Sequence, residues 1–112
     1  MSDATGHLVL LSTTDSAEAA RELAAAAVEA RLAACVQIVG PVTSVYRWEG
    51  AVHEEQEWQL LFKTTEDRRE RLERQIAERH GYDVPEIIAL PVTAGSTAYL
   101  DWVTAETREA PR

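Results

Sequence analysis

The sequence is poor in cysteine, lysine and aromatic residues. Cys35 is its only cysteine, so one chain can form neither a disulfide nor a zinc site with several cysteines. Such cysteine usage is typical of a reducing compartment, and we expect a cytoplasmic protein. Lys63 is the only lysine among 11 basic residues, against 19 acidic ones, and the net charge is −8. An acidic chain is a poor ligand for phosphates, so neither nucleic acid nor an anionic membrane is an expected partner.

Long apolar runs are also missing. The apolar runs at residues 8–11, 24–28 and 87–92 are far shorter than the roughly 20 residues that cross a membrane. No basic segment precedes the first of them, which argues against a signal peptide. With 46% hydrophobic and 27% charged residues, the composition is that of a globular protein. We therefore predict one domain over residues 1–112, with an ordered core at about 7–104.

Patterns of strand and helix alternate in the order β-α-β-β-α-β, followed by a short helix. This order is the split βαβ arrangement of ferredoxin-like folds, so the predicted class is α+β, a sandwich of helices on one antiparallel sheet with a C-terminal helix. The predicted strands cover residues 7–13, 35–48, 52–64 and 86–93, and the predicted helices cover 19–32, 66–79 and a short segment after Gly95-Ser96.

Local signals predict how these elements begin and end. Asp15, three residues before Glu18, fits a capping box at the start of the first helix. Thr64 or Thr65 is the expected cap of the second helix, and Gly81 its stop. Residues 104–112 are expected to fray. The predicted buried positions are Leu23, Ala27 and Leu32 for the first helix, Leu72 and Ile76 for the second, and Ala98, Tyr99 and Trp102 for the last.

The second and third strands form a long hairpin around a turn at Glu49-Gly50. Its return arm at residues 52–64 would extend about 43 Å, whereas a compact chain of this size is roughly 34 Å across. The hairpin also carries Tyr46, Trp48 and Trp58, and exposed aromatic strands aggregate unless another subunit pairs with them. This favours a homo-oligomer. The alternative is that Gly40-Pro41 splits the first arm and the hairpin folds back on its own domain.

Acidic residues alternate along the return arm. His53, Glu55 and Glu57 share one strand face, where they can hold a cation or a proton in common. The pattern is not the zinc-protease HExxH motif, which needs a second histidine one helical turn later. The simpler interpretation is that these solvated side chains protect an exposed strand.

The segment HGYDVPE gathers an imidazole, a phenol and carboxylates between a helix and a strand. It suits acid–base chemistry, anion recognition or metal ligation; alternatively, His80 only ends the helix and Tyr82 only packs. Lys63 either binds an anion, pairs with Glu57 or Glu86, or is an ordinary surface residue. Cys35 lies among small residues and is expected to pack in the core.

Three segments of the sequence resemble the CutA divalent-cation tolerance proteins: ARLAACVQIVGPVTSVYRWEG, LLFKT and YDVPEIIALPVTAGSTAYLDW. The resemblance runs from about Leu8 to Trp102. It implies a ferredoxin-like homotrimer, similar in architecture to the PII signalling proteins, whose long hairpins wrap around neighbouring subunits. It also implies a role in tolerance to divalent metals, with copper or another divalent cation as the bound species.

The resemblance further implies that polar residues gather in clefts between subunits. His80 is the metal-ligand candidate it supplies. However, Ser12 and Arg79 stand where some members have a cysteine and a second histidine, and neither is a good copper ligand. The implied ligand-binding residues are Tyr46, Trp48, Glu57, Lys63, Tyr82, Glu86, Tyr99 and Trp102.

Three functions are compatible with these residues. The first is a cytoplasmic trimer that binds a metal ion or small ligand in its clefts and acts in metal homeostasis or signalling, without catalysis. The second is an enzyme in which His80 is a general acid or base and Lys63 stabilises charge. The third is a stable trimeric scaffold whose acidic surface recruits partner proteins.

Overall fold

A computed structural model describes residues 5–109, so residues 1–4 and 110–112 of the predicted domain lie outside the described part of the chain. The predicted order of elements is confirmed. The elements are β1 (His7–Thr14), α1 (Ala17–Glu29), β2 (Cys35–Trp48), β3 (Ala51–Thr65), a 3-10 turn (Glu66–Arg68) that leads into α2 (Arg69–Arg79), β4 (Ile88–Pro91) and α3 (Thr97–Glu106).

The four strands form one antiparallel sheet in the order β2-β3-β1-β4. Side chains alternate between the two faces of a strand, and one face packs against α1 and α2. Leu10, Leu60 and Phe62 are fully buried there, together with Leu72 and Ile76 of α2. The arrangement is the predicted ferredoxin-like α+β sandwich. We call the opposite sheet surface the open face; its apolar residues include Val9, Leu11, Val39, Leu61, Ile88 and Leu90.

Helix α1 begins and ends differently from the prediction. Its cap is Ser16, whose Oγ accepts a hydrogen bond from the Ala19 N–H at 3.0 Å, and not Asp15. The helix ends at Glu29 instead of Leu32, because Arg31 adopts a left-handed conformation with φ of 58°. The Arg31 N–H then bonds the Val28 carbonyl, and the Leu32 N–H bonds the Ala27 carbonyl. Leu32 is still buried, as predicted, but outside the helix.

The segment from α2 to β4 also departs from the prediction. Thr65 precedes the 3-10 turn but makes no capping bond to it. Gly81 is not the stop of α2, because the backbone already becomes extended at His80. Strand β4 covers only Ile88–Pro91, since it pairs with β1 at just four positions.

Helix α3 turns a different side inward from the predicted one. Ser96 caps it as expected, by accepting from the Tyr99 N–H. Val103 is buried, whereas Tyr99 and Trp102 are each 43% exposed, so the predicted apolar side is wrong. The helix continues to Glu106 instead of fraying from residue 104, and the Arg68 Nε donates to the carbonyl of buried Thr107 at 2.6 Å.

The hairpin turns at Glu49-Gly50, where both residues have positive φ, as a two-residue type I′ turn requires. Strand β2 runs through Gly40-Pro41, with a register shift between Val39 and Val42. Val45 and Val52 of the distal half are 64% and 63% exposed, which fits the overhanging hairpin and not the folded-back alternative.

The tryptophans of the hairpin lie in two different environments. The ring of Trp58 packs against Gly40 so closely that an added Cβ there would clash with its Cδ1 atom. Trp58 also contacts the core of its own chain. Trp48 is 45% exposed. Trp48 is thus the more exposed of the two, whereas Trp58 is partly buried against its own chain.

Candidate functional site

An open cleft lies where the end of β1, the loop between α2 and β4, and the middle of the hairpin meet. Its volume is about 710 Å³, in the range of small-molecule sites. It is lined by five carboxylates and three aromatic rings, and no lysine, arginine or histidine is among its lining residues. The cleft residues are Thr13, Asp15, Ser44, Val45, Tyr46, Trp48, Glu55, Glu57, Gly81, Tyr82, Asp83, Val84 and Glu86.

A hydrogen bond between Tyr82 and Glu57 joins the loop to the hairpin. The Tyr82 hydroxyl donates to Oε2 of Glu57 at 2.8 Å. Burial raises the pKa of the Tyr82 hydroxyl above its ordinary value, and the bond to Glu57 raises it further. The charges of Asp15 and Glu55 act on this pKa in the same direction. Tyr82 therefore remains a hydrogen-bond donor at neutral pH, in a region of negative potential.

A second pair of the same kind lies two residues along β3. The Tyr46 hydroxyl donates to Oε1 of Glu55, and this bond is the main cause of a raised Tyr46 pKa. On its other side, the Tyr46 ring stacks on His53, with 5.4 Å between ring centroids and an interplanar angle of 20°. Glu55 and Glu57 lie on one face of β3, as the alternation predicted.

His80 lies beside the cleft but does not line it. Its Nε2 is 2.6 Å from the Thr13 carbonyl oxygen, and its Nδ1 accepts from the Tyr82 N–H at 3.0 Å. These two bonds define a neutral imidazole with the proton on Nε2. Its ring also contacts that of Tyr82, with centroids 4.7 Å apart. Both nitrogens are thus occupied in fixing the loop to β1, and neither is free for a metal.

The remaining predicted site residues form a second group away from the cleft. Lys63 donates to Oε1 of Gln37 at 2.9 Å and pairs across the strands with Cys35. Lys63 pairs with Val9 of β1, four residues from the Thr13 carbonyl that His80 contacts, or roughly 13 Å along the strand. One chain therefore does not bring Lys63 to His80 or to the cleft.

Two aromatic residues of α3 belong to this second group. The rings of Tyr99 and Trp102 lie 5.6 Å apart. Burial raises the pKa of the Tyr99 hydroxyl, and the neighbouring Cys35 thiol raises it further. Of the eight predicted ligand-binding residues, the cleft thus gathers Tyr46, Trp48, Glu57, Tyr82 and Glu86, and the second group holds Lys63, Tyr99 and Trp102.

The described residues do not fit a copper ion within one chain. No three histidine, cysteine, aspartate or glutamate side chains within residues 5–109 converge on a point that could hold a metal ion. The Ser12 Oγ is buried and has no hydrogen-bond partner in this part of the chain, but it lies on the helix-covered face of the sheet. Arg79 borders a separate groove between α1 and α2. Neither Ser12 nor Arg79 therefore supplies a soft or imidazole ligand for copper.

Three polar cleft residues were not predicted as site residues: Thr13, Asp15 and Ser44. Thr13 and Asp15 come directly at the end of β1, next to the loop that carries Tyr82. The hydrophobic pattern of β1 gave no reason to single them out. The order of the elements could have indicated Thr13 and Asp15 as site residues. The end of a central strand and the loop before the neighbouring edge strand meet at one end of the sheet.

The family model described as CutA1 divalent ion tolerance protein matches residues 8–106. The chain belongs to the CutA1 family. The divalent-cation tolerance protein CutA of Thermus thermophilus is 50% identical over 99 residues, which cover 88% of this chain and 96% of that protein. The CutA crystal structure from Xylella fastidiosa superposes with a TM-score of 0.91 at 33% identity, covering 93% of this chain and all of that one.

One CutA1 relative is named for the chloroplast. The chloroplastic CutA protein of Arabidopsis thaliana is 45% identical over 101 residues, which cover 90% of this chain and 56% of that protein. In the described part of this CutA1 chain, residues 5–109, no helix has the length and apolar character needed to cross a membrane.

Proposed function

We propose that this CutA1 protein is a homotrimer that binds divalent cations in its cleft through oxygen ligands and acts in metal homeostasis or signalling. The observation that carries the proposal is the lining of the cleft: five carboxylates with no basic side chain among them. Carboxylate and hydroxyl oxygens are the ligands of hard divalent cations, which often keep several of their water molecules. Carboxylates spread around a cleft suit a cation bound partly through its water shell.

The open face supports the trimer. Val39, Ile88 and Leu90 are each nearly half exposed there, at 47%, 48% and 45%. An apolar sheet face of this kind is a typical contact between subunits. The overhanging hairpin, with exposed Trp48 near its tip, supplies a second surface for a neighbour. In such a trimer, Lys63, Tyr99 and Trp102 of one subunit reach the cleft of a neighbouring subunit.

The proposed role is binding, not catalysis. His80 has both ring nitrogens in hydrogen bonds to the backbone, which suits a structural residue better than a general acid or base. Lys63 is hydrogen-bonded to Gln37 and remote from His80 within the chain. We also retain a cytoplasmic location as part of the proposal, from the single free cysteine, to be tested by fractionation of the source cells.

Native mass spectrometry of the untagged protein, before and after addition of magnesium, zinc or copper, tests this function. We expect the mass of three subunits and uptake of about one magnesium or zinc ion per cleft. Glu57→Gln should weaken that uptake roughly tenfold, because it removes one charged ligand. His80→Ala should leave the ion count unchanged while lowering stability.

The matched control is Glu54→Gln, which makes the same charge change on the opposite face of β3. A monomer would overturn the trimer. Equal loss of uptake in Glu54→Gln and Glu57→Gln would overturn the cleft as the site. Copper uptake that disappears in His80→Ala would replace oxygen ligation by imidazole ligation.

A further inference from the structure

The side chain of His7, at the start of β1, connects the sheet to α3. Its Nε2 atom lies 2.9 Å from the Leu100 carbonyl oxygen and 2.8 Å from Oγ1 of Thr104. Its Nδ1 atom lies 3.2 Å from Oγ1 of Thr5. The two partners on α3 are 93 and 97 positions away along the chain, so this one ring joins elements that are distant in sequence.

The contact with Leu100 requires a proton on Nε2. A carbonyl oxygen has no hydrogen and can only accept. At 2.9 Å, an unprotonated Nε2 would point its lone pair at this oxygen. The ring therefore donates from Nε2 to α3.

The contact with Thr5 requires a proton on the other ring nitrogen. The Thr5 hydroxyl donates its single hydrogen to the Val92 carbonyl oxygen at 2.8 Å. Its Oγ1 also accepts from the His7 backbone N–H at 3.2 Å, in a turn that Gly6 permits with a φ of 84°. Because the hydroxyl hydrogen is already used, Oγ1 can only accept from Nδ1.

Both ring nitrogens of His7 thus face acceptors, which fits the charged imidazolium. The neutral ring has one proton fewer and must give up one of these bonds. If the proton stays on Nε2, either Nδ1 faces an oxygen lone pair or the Thr5 hydroxyl turns away from Val92. His80 differs, since its Nδ1 accepts from a backbone N–H and its Nε2 donates, as in a neutral ring.

The surroundings of His7 contain charges, but none pairs with its ring. Within residues 5–109, no carboxylate forms an ion pair with His7. Arg108 donates to the Thr104 carbonyl at 3.0 Å, and Asp67 balances its charge. Strand β4 carries no ionisable side chain. The ionisable side chains that β3, α3 and the segments after them bring to this region are Lys63, Glu66, Asp67, Tyr99, Asp101, Glu106 and Arg108.

We propose that His7 is a pH-sensitive latch that holds α3 on the sheet when its ring is charged and loosens the helix when the ring loses its proton. Histidine is the side chain whose charge changes in the physiological pH range. Because the charged ring makes one bond more, the hold on α3 is strongest at low pH and weakens as pH rises. The latch does not depend on the proposed cation binding.

The helix under this control carries two of the predicted ligand-binding residues. Tyr99 and Trp102 lie on α3, and the bonded Leu100 carbonyl lies between them in sequence. Opening of α3 therefore moves both aromatic rings away from β1 and β3. The latch links their position to the pH of the surroundings.

Hydrogen exchange of the full chain, followed by NMR at pH 5.5 and pH 8 and corrected for the intrinsic exchange rates, tests the latch. We expect the protection of the α3 amides at residues 101–106 to fall roughly tenfold at pH 8, because one charge-assisted hydrogen bond is lost. Protection of the α1 amides should change much less. Equal protection of α3 at the two pH values would overturn the proposal.

Substitutions separate the latch from a general effect of pH. His7→Gln keeps a pH-independent donor for the Leu100 carbonyl, so the difference between the two pH values should disappear. His53→Gln, at the exposed hairpin, is the matched control and should retain it. Thr5→Ser keeps the hydroxyl and should retain the difference, whereas Thr5→Val should reduce it. An unchanged difference in His7→Gln would overturn the assignment to His7.

Ring-nitrogen NMR of the unmodified protein gives a readout that does not depend on how the variants fold. At pH 5.5, both nitrogens of His7 should carry protons, and at pH 8 the remaining proton should lie on Nε2. A neutral His7 at pH 5.5, or a proton on Nδ1 at pH 8, would contradict the hydrogen-bond arrangement on which the latch rests.

Discussion

Arg31 adopts a backbone conformation that residues with a side chain rarely take. Its φ of 58° places it in the left-handed region, directly after the end of α1. The hydrogen bonds from Arg31 to Val28 and from Leu32 to Ala27 form a Schellman motif, in which glycine is the usual residue at this position. The left-handed conformation at the end of α1 therefore costs free energy, and a single substitution to glycine removes this cost.

We expect Arg31→Gly to stabilise the protein by about 0.5–1 kcal/mol, because a left-handed conformation costs residues other than glycine roughly 1–2 kcal/mol. The substitution also breaks an ion pair with Glu106, but that pair spans 3.7 Å between side chains 40% and 47% exposed and contributes little. Guanidinium denaturation, followed by tryptophan fluorescence at fixed protein concentration, measures the change. Arg31→Ala loses the ion pair and keeps the backbone cost, so equal stabilisation by alanine would contradict this explanation.

The C-terminal element is fastened to the 3-10 turn before α2. The Arg108 guanidinium makes two bonds to the Asp67 carboxylate, at 2.6 and 2.9 Å, and a third to the Thr65 hydroxyl. The bond from Arg108, followed by that from Thr65, holds the pKa of Asp67 well below its usual range. Contacts of residues 107–109 with the 3-10 turn and the start of α2 therefore hold this segment in place.

The hydrogen-bonded ion pair of Arg108 and Asp67, which we call the clamp, predicts how the free energy of unfolding depends on pH. The folded pKa of Asp67 is depressed, so its stabilisation is complete above the unfolded pKa of about 3.9 and is lost as pH falls through the folded value. We expect Asp67→Asn to lower the free energy of unfolding at pH 7 by at most about 1 kcal/mol, because the carboxylate is largely exposed. The gap from the unmodified protein should narrow below pH 4.

Denaturation curves at several pH values between 7 and 3 measure this effect. The matched control is Asp101→Asn, an exposed aspartate on α3 with no ion-pair partner within residues 5–109. It should leave stability unchanged over the whole range. A gap between Asp67→Asn and the unmodified protein that stays constant down to pH 3 would show that the clamp does not depend on the charge of Asp67.

Sequence patterns predicted elements better than their ends. The order of strands and helices, the turn at Glu49-Gly50 and the buried pair Leu72 and Ile76 followed from local alternation and helical spacing. The end of α1 was not predicted. The alanine-rich helix pattern continues past residue 31, and this position holds arginine instead of the glycine that usually marks a helix end. The inward side of α3 was also missed, since Tyr99, Trp102 and Val103 are all apolar and only packing selects among them.

At the scale of the whole molecule, the sheet has one covered and one open face. Leu90 of β4 lies opposite Val9 on the open face and is 45% exposed. Tyr46, Glu57 and Tyr82 could be predicted as site residues because they lie in segments that resemble the CutA family. The contacts between these residues could not be predicted. The hydrogen bond between Tyr82 and Glu57 joins residues 25 positions apart and depends on the register of the whole sheet.

We expect Leu90→Glu to dissociate the proposed trimer, because a carboxylate buried in an apolar interface without a partner costs several kcal/mol. Val28→Glu is the matched control, since Val28 is 42% exposed and lies on α1, on the other side of the sheet. Sedimentation velocity should give a smaller species for Leu90→Glu and an unchanged trimer for Val28→Glu. If both variants sediment as trimers, the open face is not the subunit contact.

The pairing of Lys63 with Cys35 has a practical consequence for chemical labelling. The chain has one side-chain amine and one thiol, and the two lie directly opposite each other on β3 and β2. An amine-directed dye therefore marks one known side-chain position per subunit, and a thiol-directed dye marks its neighbour. A short reagent that reacts with both groups would link the two arms of the hairpin covalently, giving a molecule in which β2 and β3 cannot separate.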